Sequence, residues 1–347
     1  MQALSELRPL LEAHWYDAAA AVAGAAIGAG DHRPEVAAFR NLAIAAKRVL
    51  DLDAEDFGVL SREFPDRAWT QRLGDASFPP SARSQRRGAL SSLVPLYSLM
   101  LEVLDLRAAR HEPLQVVVTA HLIGEYLPLL AWESTLGHAG DPVLMPTSVG
   151  ERWGSDDPAC PHSSALRSTA RRALNAATGD DAGYTAYLDR FHSRLGAALA
   201  VCAMNHNTVK AGQRPDIGMT CPNPCSWAVA PPYRERRDLD ARVRLALTYQ
   251  DSALVALRHH APVGHFFGVP SNREISHAWL RTWERLTQPW ADGENPLVRG
   301  SAPGAPEPKE ALPGMSALVS AVAGRTIGPG HLIRDLRDDL LAMIDGG

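Results

Sequence analysis

Residues 114 to 133 read LQVVVTAHLIGEYLPLLAWE, a strongly apolar run interrupted by His121, Glu125 and Glu133. In a helix His121 and Glu125 stand about 40° apart around the axis and one turn apart along it, so imidazole and carboxylate share a face. A buried carboxylate is costly unless it is paired, hydrogen-bonded or protonated. The run therefore holds either a satisfied structural pair or the wall of a site in which a polar group does chemistry. Pro128 follows Gly124 by four residues, so its ring crowds the Gly124 carbonyl. This spacing predicts a kink that leaves that carbonyl without its helical partner, beside Glu125 and a turn from His121.

Helical periodicity dominates the remaining sequence, and alternating β-branched segments bounded by hairpin turns are hard to find. The expected fold class is all-α, with long Pro/Gly-rich loops. Helices are expected near 3–27, 34–50, 83–109, 113–135, 164–177, 183–209, 236–261, 271–287 and 330–344. Ser271 and Glu274 have the spacing of a capping box, just after Pro270. A length of 347 residues suggests two cores or one large helical unit. The Gly-, Pro-, Ser- and Asp-rich stretch 139–163 divides an N-terminal helical part, 1–140, from a C-terminal part, 141–347. Residues 211–235 carry five prolines and two cysteines, together with Ile217, Met219, Trp227 and Val229, and read as a loop that covers something. Residues 289–314 read as a flexible excursion.

A net charge of -4 gives no electrostatic reason to expect nucleic acid or an anionic membrane as partner. The alanine-rich stretch from Ala18 to Ile27 is shorter than a membrane span, and no transmembrane segment is expected. The four cysteines follow no secretory pattern, so a reduced, cytoplasmic setting is the expectation. Lysine occurs only at Lys47, Lys210 and Lys309, which leaves few candidates for Schiff-base chemistry. Walker and dinucleotide glycine loops, a Gly-x-Ser-x-Gly elbow and HExxH are missing from the sequence. Only Glu274 to His277 has the spacing of half a di-iron site. Asp335, Asp338 and Asp339 read as the solvated face of the last helix.

Two further constellations stand beside His121 and Glu125. Cys202 and His206 are four apart at the end of a long helix, after a small, uncharged run from Leu195 to Val201. Small residues let another body approach closely, and a histidine presented there suits an axial haem ligand. A zinc reading would add Cys221 and Cys225. Arg258, His259, His260 and His265 form the other cluster, which reads either as cations on the last turn of a helix or as a second source of the ligand histidine.

With these histidines in view, the chain resembles the histidine-ligated, haem-dependent aromatic oxygenase superfamily, the all-α group of tryptophan and indoleamine dioxygenases and bacterial haem-dependent tyrosine hydroxylases. DSALVALRHHAPV resembles the dioxygenases' ligand helix, although Arg258 and His260 are two apart instead of three. NHNTVKAGQRPDIG resembles a ligand helix leading into a glycine-bearing loop, without the family's Gly-Gly-Ser run. GRTIGPGHLIRDLRDDLL resembles the glycine loop before a final helix. The resemblance implies a multi-helix bundle of the indoleamine/tryptophan dioxygenase type that binds haem b through His206 or, alternatively, His260. It also implies that His121 orients or deprotonates substrate or peroxide on the distal side, that Glu125 sets the His121 tautomer, and that an arginine such as Arg214 clamps a substrate carboxylate. The implied activity is oxidation of a small aromatic substrate, such as an aromatic amino acid in specialised metabolism. Two alternatives stay open: a non-haem metalloenzyme using His206 and the cysteines, and a helical binding protein with structural histidines. Assembly into a homo-oligomer also stays open.

Overall fold

The computed structural model describes residues 6–149, 164–206, 230–260, 268–299 and 310–345. Among these the regular elements are helical and no strand occurs, so the fold is all-α. The chain runs through α1 (Arg8–Glu12), α2 (Tyr16–Gly28), α3 (Pro34–Leu50), α4 (Phe57–Glu63), α5 (Thr70–Asp75), α6 (Val94–Ala109), α7 (Pro113–Leu136) and α8 (Met145–Val149). It continues through α9 (Ser164–Gly179), α10 (Asp181–Tyr187), a π-helical segment (Leu188–His192) and α11 (Ser193–His206). The remainder comprises α12 (Tyr233–Gln250), α13 (Ala253–Ala256) with a 3-10 turn (Leu257–His260), α14 (Asn272–Leu286), α15 (Met315–Ala323) and α16 (Leu332–Asp345).

The apolar run forms α7, and α6, α11, α12, α13 and α15 pack around it. By length and composition α7 is apolar enough to cross a membrane, but 61% of its most apolar window is buried against these neighbours. Its apolarity is thus used inside the fold. The small-residue run of α11 has a definite counterpart: a Cβ on Gly196 would lie 2.3 Å from the Leu129 nitrogen and 2.6 Å from the Pro128 carbonyl carbon. Trp132 Nε1 donates to the Gly196 carbonyl at 3.2 Å across the same contact. The body that the small residues admit at this point is α7 itself.

Buried charges tie the shell to this centre. Glu133 accepts from Ser92 Oγ at 2.7 Å and from the Leu93 N–H at 2.9 Å, and it pairs with Arg325. It thereby satisfies the start of α6, where helical N–H groups have no internal partner. Glu102 does the same for α16, accepting from the backbone N–H groups of Leu332, Ile333 and Arg334. Arg242 on α12 donates to the Ala131 carbonyl of α7 and to the Val322 and Ala323 carbonyls at the end of α15, where a cation suits the helix dipole.

The structure corrects several expected boundaries. The helix expected over 3–27 breaks at His14, whose φ is 56°. The segment expected to be helical from 83 becomes regular only at Val94, after an irregular stretch and a 3-10 turn at Gly88–Leu90. The face carrying Asp335 and Asp339 is not merely solvated, because Asp335 pairs with Arg72 and Asp339 accepts from Trp69 Nε1 at 2.9 Å. The capping box at Ser271 and Glu274 is present with both of its hydrogen bonds.

Gly196→Ala is expected to cost about 2–3 kcal/mol through overpacking of α11 on α7. Gly28→Ala, with nothing within 4 Å of the added methyl, is expected to be neutral or slightly stabilising. Urea midpoints of the two variants check the contrast.

Candidate functional site

Pro128, inside the continuous helix α7, generates the first feature of the site. Gln250, the last residue of α12, donates its side-chain amide to the Gly124 carbonyl at 2.9 Å and to the Glu125 carbonyl at 3.4 Å. The acceptor that the proline ring displaces from the helix ladder is therefore supplied with a donor from another helix. One turn earlier, Tyr249 donates to the Ala120 carbonyl at 2.9 Å. Its ring lies so close that a Cβ on Gly124 would be 3.2 Å away. Together these contacts hold the end of α12 against the turn of α7 that carries His121 and Glu125.

His121 Nε2 stands 3.1 Å from Glu125 Oε1, and the same nitrogen is touched by the Arg258 guanidinium, whose NH1 is 3.9 Å from that carboxylate oxygen. Arg258 lies on the 3-10 turn that ends at His260, so two constellations that are distant in sequence meet here. One ring nitrogen cannot serve both partners at once: it donates to Glu125 when protonated and accepts from Arg258 when it carries the lone pair. The cluster is accordingly a choice between two imidazole tautomers.

Glu125 also faces the other way. With Glu55, Phe78, Tyr126, Asp189, Arg190 and Arg194 it lines a cavity of about 230 Å³ between α7 and the start of α11. The His121 hydrogen bond, opposed by burial and reinforced by the charges of His121, Arg258 and Arg194, holds the Glu125 carboxyl below its ordinary value. It is a carboxylate at neutral pH, suited to fixing a cation or a tautomer rather than to holding a proton.

Arg190 and Arg194 also line a second, larger hollow of about 860 Å³ that opens widely to the surface. Ala173, Ala176, Ala186, Ala197 and Ala198 supply small apolar walls, Tyr187 and Phe191 supply rings, and Arg172 adds a third guanidinium. No acidic side chain is among its described lining residues. His192, in neither lining and fully buried, has ring centroids 5.5 to 5.7 Å from Tyr126 and Phe78 of the smaller cavity and Tyr187 of the larger hollow. It donates Nε2–H to the Ala139 carbonyl at 2.7 Å, its Nδ1 has no partner among the described residues, and burial pushes its pKa down to about 4. His192 and the arginines lie on or beside the π-helical segment, a distortion that often accompanies functional sites. Sequence reasoning passed over them, because a π turn shifts every side-chain direction after it and leaves no compositional mark.

The side chains of Cys202, His206, His259 and His260, and all of Arg214, Cys221, Cys225 and His265, lie outside the described residues. Among the described residues no three His, Cys, Asp or Glu side chains converge in a way that would hold a metal ion. The segment 324–334, expected to resemble a family loop, stitches the fold together through Arg325 to Glu133 and through the Gly330 N–H to the Ser98 carbonyl at 2.8 Å. Comparison with family models, curated proteins and solved structures finds no match to this chain.

Gln250→Ala is expected to cost about 1 kcal/mol by removing the donor to the Gly124 and Glu125 carbonyls, readable in chemical denaturation. Because the Glu125 pKa is lowered in the fold, its stabilising contribution is present above the ordinary value of 4.5 and is lost as pH falls through the folded value. The stability gap between the wild type and Glu125→Gln should therefore be widest near neutral pH and close under acid. A gap independent of pH would show that the charge of Glu125 is not used.

Proposed function

We propose that the chain is a haem-dependent oxygenase that acts on a small aromatic substrate such as an aromatic amino acid. The observation that carries this reading is the larger chamber, whose apolar walls and three guanidiniums suit a flat apolar body bearing carboxylates. Haem has that character, and the alanine walls leave room for it where longer side chains would not. The helix that gives Ala197, Ala198 and Arg194 to the chamber ends at His206, about two turns beyond Ala198. His206 would hold the haem iron, with His260 as the alternative, and Arg172, Arg190 and Arg194 would meet the propionates or a substrate carboxylate in the fork geometry that arginine favours. When bound, haem would supply the activation of dioxygen or peroxide.

The protein's own part in this reading begins at Glu125. Its carboxylate lines the smaller cavity and is the group of the His121–Glu125–Arg258 cluster placed to meet a ligand, for instance a substrate ammonium. His121 stands behind it and exchanges its Nε2 proton position according to whether Glu125 or Arg258 holds the ring. Phe78, Tyr126 and His192 form an aromatic partition that would keep water from moving between the two volumes.

Absorption spectroscopy of the purified protein, before and after reconstitution with haem, is expected to show a Soret band that His206→Ala or His260→Ala removes. Glu125→Gln should keep the band and lower turnover of an aromatic amino acid by about 10²-fold or more. The absence of a Soret band after reconstitution would sink the proposal.

A further inference from the structure

A separate, half-open pocket of about 560 Å³, with polar groups set in a largely apolar lining, lies far in sequence from α11 and His121, between α4, α5 and the irregular segment 76–87. Its lining includes Arg62, Arg86, Ser61, Ser77, Gln85 and Gly74, and no acidic side chain. Its volume is that of a small-molecule site.

The segment that closes it is rigidly held even though it has no regular structure. Arg87 forms a two-pronged pair with the buried Asp141, at 2.6 and 2.7 Å, and donates to the Ala82 and Ser84 carbonyls at 2.9 and 3.0 Å. Tyr184 of α10 donates to the Pro79 carbonyl at 2.8 Å, and the Phe78 N–H donates to the Ala54 carbonyl at 3.0 Å. The loop closes at Gly88, where φ is +44° and a Cβ would lie 2.1 Å from the Ser77 carbonyl oxygen, so only glycine fits. A long loop fixed this firmly around an open volume has the character of a preformed site rather than of a linker.

The polar groups indicate its ligand. Arg62 comes from a helix and Arg86 from the loop, so two guanidiniums on different elements look onto one volume with no carboxylate in its lining. Two such forks match a phosphate dianion. Ser61 and Ser77 are nearly buried, and each donates to a backbone carbonyl at 3.1 Å, to Gly58 and Phe78 respectively. Their remaining lone pairs can accept hydrogen bonds from ligand hydroxyls, and the Gln85 amide can do both. We propose that this pocket binds a small phosphorylated polyol or sugar, with Arg62 and Arg86 on the phosphate and the serines and Gln85 on the hydroxyls.

Calorimetry on the full chain tests this with ribose 5-phosphate, glucose 6-phosphate and glycerol 3-phosphate, against inorganic phosphate and ribose as partial ligands. At least one phosphorylated probe is expected to bind more tightly than either partial ligand, and Arg62→Ala and Arg86→Ala should each weaken it by about tenfold or more. Gly74→Leu keeps both guanidiniums and blocks the volume: a Cβ there would sit 3.8 Å from Ser61 Oγ and 4.0 Å from Arg86 NH1, ordinary contacts that the fold tolerates. It should abolish binding, whereas Arg83→Ala, a charge change outside the lining, should leave it unchanged. The proposal is overturned if none of the three probes binds at about 10 mM, if inorganic phosphate binds as tightly as the best probe, or if the arginine variants bind as the wild type does.

Discussion

A helix without a polar face can exist in this chain only if other helices enclose it, and α7 imposes that demand on the whole molecule. Its 24 residues offer apolar side chains in every direction, so neighbours must approach all around it. How closely they approach is set by small residues: Gly196 brings one backbone against another beside Pro128, and Gly124 admits the ring of Tyr249. The burial of Val117, Ala120, Ile123, Leu127 and Leu130 follows. At about 25 cal/mol per Å² of apolar surface, this enclosure belongs to the main favourable term in folding, apolar burial.

Because α7 is enclosed, each polar group on it needs a partner from elsewhere, and the kind of partner separates structure from site. Glu133 is closed off by a hydroxyl, a backbone N–H and a guanidinium, which uses its acceptor capacity in holding α6. Glu125 has a side chain 38% exposed, shares its histidine with Arg258 and borders a cavity. Two carboxylates two turns apart on one helix thus have different work, decided by what surrounds them.

The parts of this arrangement that were legible in the sequence are those set by local chemistry. All-α character follows from periodicity, the capping box from Ser271 and Glu274, and the displaced Gly124 carbonyl from the spacing to Pro128. The donor to that carbonyl, Gln250, was not legible, since nothing local to residue 124 points to a residue 126 positions away. Arg258 against His121 is the same case: each was notable in its own segment, and only packing joins them. The helices α4, α5 and α8 are too short to display a period, and the break at His14 depends on a positive φ that its residue type does not announce. His192 lacked a signal because its significance comes from the rings that surround it in the fold.

Arg190 and Arg194 stand in the partition between the two chambers of the candidate site and border both. A guanidinium is one charge, wherever it turns. An anion that draws Arg194 toward the larger hollow would remove positive potential from the smaller one, where Arg194 acts on the Glu125 carboxylate. Ligands in the two volumes would be linked through these shared side chains, and linkage runs equally in both directions. Two neighbouring hollows that share side chains would then titrate with ligand as one binding polynomial, whose interaction term is carried by Arg190 and Arg194.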